Sequence, residues 1–431
     1  MANPELIFAP AAVRDDSPSF KESGQRWWLL FLLFTGMLLG YAQRGAFSVA
    51  APFISQNLGL SKVTIGVLLS AFFWSYALMQ IPAGWVVDRF GVRRAYSIGF
   101  ILWSLATALT GFGTSLASFI ASRVIVGVGQ AVSFPATSRA VANWFQERER
   151  GTVTAIYLTG VRFGTAIISL IGAYFLAGNH WQLFFMVTGL VPLVWLLPWM
   201  KFLGKLESPS SASSSSSTSS DTSFLAGLAL LKRRSVLGIF LGFFAYDYAW
   251  FVFITWLPGY LVLERQFSPR EMGIYSSIPY LAMSVVIIFS GIFSDWLVRR
   301  GHNEITVRKI FIVTGLIVCC LIVPAGLVAD KMTAVWLLTL ALCGLGIASP
   351  NTWTLTQAVC EKRIVGTVTG IQNFGGNLGG IIAPALTGFI AHVTNSFALA
   401  LIVTGVILVT GAIAYWFLIN AKVEVGDRLI A

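Results

Sequence analysis

Long apolar runs recur along the whole chain, and each is close to the ~20 residues that an α-helix needs to cross a bilayer. The runs lie at 27–49, 64–87, 95–113, 116–138, 152–177, 181–203, 235–262, 272–298, 307–329, 333–359, 366–391 and 396–420. Lipid offers no partners to backbone polar groups, so runs of this length are helical. The sequence therefore predicts an all-α membrane protein with twelve transmembrane helices. The first run lacks an A-x-A-like cleavage pattern, and we expect it to be retained.

The positive charges are distributed unevenly between the two sets of loops that connect these helices. Of the 29 Lys and Arg residues, 16 fall in one set and 4 in the other. The larger set is Arg89, Arg93, Arg94, Arg148, Arg150, Lys201, Lys205, Lys232, Arg233, Arg234, Arg299, Arg300, Arg308, Lys309, Lys362 and Arg363, and the smaller is Lys62, Arg265, Arg270 and Lys331. Loops rich in Lys and Arg stay in the cytoplasm, so both termini are predicted to be cytoplasmic. This bias accounts for the net charge of +11 without a nucleic-acid partner.

A serine-rich tract at 207–223 divides the chain into two halves that resemble each other. Such a polar tract cannot bury a core and is typical of a flexible linker. The segment GTVTAIYLTGVRFG (151–164) returns as GTVTGIQNFGGNLG (366–379), and GWVVDRFGVRR (84–94) returns as GIFSDWLVRRG (291–301). The predicted organisation is a tail at 1–26, a six-helix bundle at 27–203, a linker at 204–234, a second six-helix bundle at 235–420 and a tail at 421–431. Internal repeats on this scale are typical of transporters with a substrate site between the bundles.

These motifs resemble those of the major facilitator superfamily, over all twelve predicted spans. The loop after span two carries Gly84, Asp88, Arg89, Gly91, Arg93 and Arg94, and a degenerate copy carries Gly291, Asp295, Arg299 and Arg300. RVIVGVGQA (123–131) is similar to the superfamily's fourth-span motif. FPATSRAVANWFQERERG (134–151), WLPGYL (256–261) and GNLGGIIAP (376–384) resemble the anion:cation symporter family. The resemblance implies a transporter of sugar acids or other organic anions in the inner or plasma membrane, working by alternating access. We expect a monomer without a cofactor, with protons as the candidate coupling ion.

The first loop motif places a carboxylate, Asp88, at the end of a helix and three guanidinium groups just after it. A carboxylate there can form a charge-assisted pair or cap a neighbouring helix N-terminus. The resemblance implies that this latch, with Asp295 and Arg299 in the second copy, stabilises the outward-open state. The alternative is that these charges only set the orientation of the helices in the membrane, around a tight turn at Gly91.

Five ionisable residues are predicted inside the membrane: Arg44, Arg123, Arg139, Arg162 and Asp247. Arg139 is close enough to a span end for its side chain to reach the interface. Asp247, in FFAYDYAWFVF on span seven, is the only carboxylate that we place at depth. Such residues mark substrate and proton pathways, although a structural ion pair between helices is the alternative.

The resemblance implies that Arg44 binds the substrate carboxylate, with the hydroxyl groups of Tyr41 and Tyr76 nearby. A guanidinium suits this task because its planar fork binds a carboxylate with two hydrogen bonds and keeps its charge. The family places an acid immediately before that Arg and another after the Gly-x-Gly of span four. Here these positions are Gln43 and Gln130, and an amide has no exchangeable proton at biological pH.

Three interpretations of the replacement of two acids by Gln43 and Gln130 stay open. Arg162 is an added cation, so the substrate would carry two anionic groups, one for Arg44 and one for Arg162. Alternatively, Asp247 has taken over proton coupling, and Gln43, Gln130, Arg123 and Asp247 are therefore the coupling candidates. The third alternative is a uniporter or anion exchanger without proton coupling. In the second half, Trp353, Asn373 and Asn377 are candidates for substrate contact, and interhelical hydrogen bonding is their alternative role.

Two other protein classes fit the sequence poorly. A membrane enzyme would need a nucleophile and base or a metal cluster at depth, whereas the three histidines lie at loops or span ends and the four cysteines form no metal-binding pattern. A transporter-derived sensor needs a signalling domain, for which the predicted tails are too short. The chain is therefore predicted to be a transporter and not an enzyme.

Overall fold

The computed structural model describes residues 23–145, 147–204, 230–361 and 364–419. The helices are α1 (Ser23–Leu58), α2 (Lys62–Thr110), α3 (Leu116–Gln130), α4 (Ser133–Trp144), α5 (Glu147–Ala177), α6 (Trp181–Leu190), α7 (Leu196–Gly204), α8 (Arg234–Leu263), α9 (Pro269–Arg299), α10 (Glu304–Cys319), α11 (Ile322–Leu327), α12 (Lys331–Val359), α13 (Val365–Val393) and α14 (Ala398–Ile413). The predicted N-terminal tail up to residue 22, the linker from 205 to 229 and the predicted C-terminal tail lie outside the described residues.

The prediction of an all-α membrane protein is confirmed, and the described residues contain eleven helical stretches that are long and apolar enough to cross a membrane. The second half of α2 adds a twelfth pass. Gly91 interrupts this helix with φ +80° and ψ 159°, a backbone conformation that residues with a Cβ rarely adopt. Both halves of α2 pack on α3, with Ser75 against Gly127 and Gly99 against Gly129, so the chain folds back at Gly91.

Three of the predicted spans are interrupted helices. The run at 116–138 consists of α3 and α4, which meet at Ala131, and the run at 307–329 consists of α10 and α11. The run at 181–203 consists of α6, a 3-10 turn at Val191–Trp195 and α7. Pro192 lies in that turn, where its ring and missing N–H disrupt α-helical hydrogen bonding.

Because successive spans alternate in direction, their connections lie on two faces of the molecule. One face carries the start of α1 and the end of α14, and we call it the terminal face. The opposite face, called the far face, carries the connections at 59–61, 111–115, 178–180, 264–268, 328–330 and 394–397.

The two bundles contact each other between the middle of the molecule and the far face. Within the described residues, three hydrogen bonds join the bundles: Ser48 Oγ donates to the Thr255 carbonyl (2.5 Å), Ser70 Oγ to the Ile381 carbonyl (2.6 Å) and Lys62 Nζ to the Ala391 carbonyl (3.2 Å). The rings of Phe73 and Phe251 meet edge to face, with their centroids 4.5 Å apart. These contacts form a far-face seal above the charged residues in the middle of the bundles.

Candidate functional site

Arg44 lies near the middle of α1, and aromatic rings surround its guanidinium group. The side chain is 6% exposed, and its Cζ lies 4.3 Å from the ring centre of Tyr41, 4.5 Å from that of Phe72 and 4.6 Å from that of Tyr76. The electron-rich faces of aromatic rings attract a desolvated cation. The structure therefore places the rings of Tyr41 and Tyr76 beside Arg44 and adds Phe72, which sequence analysis missed.

A single hydrogen bond from its Nε fixes the orientation of this guanidinium. Nε donates to Oε1 of Gln130 at 3.0 Å, and Nε2 of Gln130 donates to the Gly40 carbonyl at 2.8 Å. Within the described part of the chain, neither terminal nitrogen of Arg44 has a hydrogen-bond partner, and no carboxylate lies within 4.0 Å of it. The two terminal nitrogens form the fork that a carboxylate binds.

Gln43 packs inside the first bundle instead of sharing the surroundings of Arg44. Its Nε2 donates to Ser104 Oγ and to the Thr188 carbonyl, each at 3.0 Å, and its Oε1 accepts from Trp103 Nε1 at 2.5 Å. A carboxylate at position 43 could donate to Thr188 only if it were protonated, whereas the amide always carries its N–H groups. Gln43 therefore links three spans in a way that does not depend on pH.

Arg123, on α3, also lies against the Phe72 ring. Its Cζ is 5.2 Å from the centre of Phe72 and 5.0 Å from that of Phe47, and the side chain is 4% exposed. Its buried Nε has no hydrogen-bond partner within the described residues. Arg44 and Arg123 are close enough to interact electrostatically, so two cations share one aromatic cluster.

Arg162 lies at the middle of α5 and reaches the other bundle. Its Cζ is 3.8 Å from the ring centre of Trp250 on α8, and its buried Nε has no hydrogen-bond partner among the described residues. Asp247 lies one turn before Trp250 on α8, within electrostatic reach of Arg162 but without an ion pair within 4.0 Å. Tyr41 is within electrostatic reach of both, which ties this group to the Arg44 cluster.

The second bundle contributes an aromatic and amide surface beside Asp247. Trp353 meets Phe243 edge to face at 5.0 Å, and a Cβ at Gly376 would collide with both Phe243 and an oxygen of Asp247. Asn377 is buried and donates to the Asn373 carbonyl at 3.0 Å, while the Asn373 side chain is exposed. The structure thus brings α8, α12 and α13 together around Asp247.

The loop motif on the terminal face forms the charge-assisted pair that the sequence allows. Asp88 accepts a hydrogen bond from Arg139, so Arg139 forms an ion pair with the motif. Both side chains are substantially exposed, and Arg89 rests against Trp85. The same face carries the other residues of the motif copies, Gly84, Arg93, Arg94 and Arg299. The Arg93 carbonyl accepts a hydrogen bond from Ser97 Oγ. The pair lies within the first bundle, and its predicted conformational role stays a prediction.

The second copy of the motif has a buried partner that sequence analysis placed in a loop. Arg308, on α10, is 5% exposed and donates to Asp295 Oδ1 at 2.6 Å and to Ser294 Oγ at 2.7 Å. It also donates to Asn351 Oδ1 at 3.2 Å, and Asn351 in turn donates to Ser290 Oγ. Arg308 and Asn351 therefore hold α9, α10 and α12 together. The sequence carried no signal for this burial, because Arg308 lies among other basic residues between two predicted spans.

The comparisons with known proteins agree with this geometry. A family model described as Major Facilitator Superfamily matches residues 33–384. The chain is 32% identical to a D-galactonate transporter of Escherichia coli O6:H1, with 94% of this chain and 98% of that protein covered. It is 31% identical to a probable galactarate/D-glucarate transporter of Escherichia coli K12 (92% and 95% covered) and 31% identical to a hexuronate transporter of Bacillus subtilis (90% and 92% covered).

Solved structures share the fold at lower identity. A bacterial homologue of the human lysosomal transporter Spinster, in an inward-facing and occupied conformation, superposes with a TM-score of 0.74 at 18% identity, over 91% of this chain and 96% of that one. A D-xylose–proton symporter gives 0.70 at 14% identity, over 92% and 98%. The chain belongs to the major facilitator superfamily. It is a multi-pass membrane transporter, not an enzyme, and its relatives carry small sugar acids.

Proposed function

We propose that this protein carries a sugar acid or a similar organic carboxylate across the cell membrane by alternating access, with Arg44 as the principal anion anchor. The observation that carries the proposal is the state of the Arg44 guanidinium. It is buried at the middle of the bundle, oriented through Nε by Gln130, and its two terminal nitrogens are free of described partners. A buried cation without a counter-charge is costly, and an arriving carboxylate relieves that cost.

The surroundings of Arg44 also favour a polyhydroxy substrate. Tyr41 and Tyr76 present aromatic faces to the guanidinium and carry hydroxyl groups, and Asn373, Asn377 and Trp353 offer hydrogen-bonding groups from the second bundle. We therefore propose that the second bundle contacts the hydroxyl groups of a substrate anchored at Arg44. The names of the relatives, which refer to galactonate, galactarate, glucarate and hexuronate, support the same substrate class.

The conformation follows from where the bundles touch. The hydrogen bonds that join the bundles in the described parts of the chain all lie between the middle and the far face. With the termini in the cytoplasm, as the loop charges predict, closure at the far face corresponds to an inward-facing state. The Ser48–Thr255 contact lies one helical turn beyond Arg44 on α1 and closes the route to the far face.

For coupling, we propose proton symport with Asp247 as the proton carrier. Asp247 is the carboxylate among the described residues that lies at mid-depth between the bundles, and no described cation pairs with it. Gln43 and Gln130 are fully engaged in hydrogen bonds and carry no exchangeable proton. The alternative function is anion exchange or uniport, which the same two amides favour because Arg44 is held without any titrating partner.

The test of the proposal is counterflow of labelled D-galactonate or galactarate in proteoliposomes, comparing the parent with Arg44→Lys and Arg44→Gln. Arg44→Lys keeps the charge but loses the fork and the Nε bond to Gln130, so we expect half-saturation to rise by about tenfold or more. Arg44→Gln should abolish counterflow. Unchanged counterflow in Arg44→Gln would show that the anion binds elsewhere.

A further inference from the structure

We propose that Arg162 forms a second anion subsite that selects substrates with an acidic group at each end. Trp250 holds the Arg162 guanidinium in place, and Asp247 lies within electrostatic reach of Arg162 without forming an ion pair with it. This inference rests on the proposed function, since it assumes that Arg44 binds one carboxylate of the substrate. A six-carbon aldarate, with a carboxylate on both terminal carbons, is the chemical class that this arrangement fits.

Two guanidinium groups lie near the Tyr41 side chain. Arg44 contacts the Tyr41 ring at 4.3 Å, and Arg162 is also within electrostatic reach of Tyr41. The two helices that carry them pack with their backbones in contact, because a Cβ at Gly164 on α5 would collide with the Leu38 carbonyl on α1. This close approach holds the helix that carries Arg162 directly against the helix that carries Arg44.

The Arg162 guanidinium has hydrogen-bond donors without a described acceptor. In the described residues its buried Nε makes no hydrogen bond, no ion pair involves it, and its short contact is the Trp250 ring at 3.8 Å. Stacking on an indole fixes the plane of a guanidinium while leaving its N–H groups available at the edge. Trp250 is itself fixed, since it is 4% exposed and packs edge to face on Tyr280.

Asp247 lies near Arg162 but forms no ion pair with it. It lies three residues before Trp250, on the same side of α8, with one oxygen against Gly376 of α13. It is within electrostatic reach of Arg162 and of Tyr41, Tyr246 and Tyr415, the other titratable groups that face it from α1, its own helix and the turn after α14. A substrate carboxylate bound to Arg162 supplies the close partner that Asp247 does not supply.

The charge balance separates the two substrate classes. With Asp247 ionised, Arg44, Arg123 and Arg162 together with Asp247 carry a net charge of +2, and a monocarboxylate bound at Arg44 leaves one positive charge unbalanced. A dicarboxylate that binds Arg44 and Arg162 balances both of these positive charges. The subsite therefore favours dicarboxylates, and it loses that preference when the Arg162 charge is removed.

The experiment measures competition against labelled substrate in counterflow, with galactarate and D-galactonate as matched probes that differ in the second carboxylate. The variants are Arg162→Gln and Arg162→Lys, with Arg44→Lys as the matched change at the first site. We expect Arg162→Gln to weaken galactarate about tenfold or more while leaving D-galactonate within about twofold, and Arg162→Lys to retain part of the preference. Arg44→Lys should weaken both probes.

Equal losses for both probes in Arg162→Gln, or no loss for either, would overturn the second subsite. These results leave the proposed function standing if D-galactonate still competes in the parent. Failure of both probes in the folded parent would instead overturn the proposed function. Thermal stabilisation of each purified variant by added ligand gives a readout that does not require turnover. The parent should be stabilised more by galactarate than by D-galactonate, and Arg162→Gln should be stabilised equally by both.

Discussion

Gln130 Oε1 accepts the only hydrogen bond that the Arg44 side chain donates within the described residues, at 3.0 Å, and the Gln130 amide is itself anchored to the Gly40 carbonyl. A neutral amide thus orients the anion anchor without neutralising it. An ionised carboxylate at the same position would occupy the guanidinium that the substrate needs, and it would release the guanidinium only on protonation. The amide makes the anchor permanently available.

Gln130→Glu should therefore make substrate affinity depend on pH. At high pH the introduced glutamate is ionised, pairs with Arg44 and competes with the anion; at low pH it is protonated and the competition ends. We expect affinity to fall as pH rises in this variant, by about tenfold across its titration, as measured by half-saturation of counterflow from pH 5 to pH 8. Gln130→Met, which loses the hydrogen bond but cannot titrate, should weaken binding evenly across the range. A flat profile in Gln130→Glu would contradict the positioning role.

Asp247→Asn tests the proposed coupling site. The change keeps the size of the side chain and removes its exchangeable proton, so substrate should still exchange in counterflow while substrate-driven acidification of the lumen is lost. A pH-sensitive dye in proteoliposomes measures the proton movement, with Glu264→Gln as a control at an acid on the far face. Proton movement that persists in Asp247→Asn would rule out this residue as the carrier, and its absence in the parent would favour exchange or uniport.

Lys62 is expected to stabilise the closed far face. It lies in the first turn of α2, where the dipole of its own helix disfavours a cation, and it donates to the Ala391 carbonyl in the last turn of α13. Lys62→Met should shift the equilibrium toward far-face opening by up to about tenfold, and Lys62→Arg should not. Distances between spin labels at positions 59 and 394 report the shift. Unchanged distance distributions in Lys62→Met would show that the remaining contacts between the bundles keep the far face closed without Lys62.

The two copies of the loop motif should contribute unequally to stability. Asp295 pairs with the buried Arg308, whereas Asp88 pairs with Arg139 at an exposed site. Removing Asp295 leaves a buried guanidinium short of its counter-charge, with only the longer Glu304 contact at 3.6 Å remaining. Asp295→Ala should therefore lower the free energy of unfolding by about 2 kcal/mol, and Asp88→Ala by less than about 1 kcal/mol. Thermal unfolding in detergent compares them, and equal losses would contradict this account.

Much of this architecture is predictable from the sequence because it depends on local properties. The number of spans follows from the number and length of the apolar runs. The turn at Gly91 follows from the tolerance of glycine for positive φ, and the Asp88 ion pair follows from the position of a charged residue at a helix end. The depths of Arg44 and Arg162 follow from their positions along their helices. The breaks within the three interrupted spans, such as the turn at Val191–Trp195, were missed because hydropathy does not report local helix geometry.

What the sequence could not show is which side chains meet across helices. The contacts between Arg44 and Gln130 and between Arg162 and Trp250 join residues far apart in the chain. Arg308 carries the same charge as its loop neighbours, and only its packing against Asn351 distinguishes it as buried. Helical rotation and bundle packing decide these relationships, and neither follows from a single span's pattern.

The central claim, that Arg44 makes this protein a carrier of carboxylate anions, is tested most directly by a matched pair of competitors. D-galactonate and its alcohol counterpart galactitol differ at the carboxylate, and each is added to parent proteoliposomes during counterflow of labelled D-galactonate. The account predicts competition by the acid and none by the alcohol at the same concentrations. Competition by galactitol equal to that by the acid would show that the site recognises hydroxyl groups and not the anion, and would contradict the account.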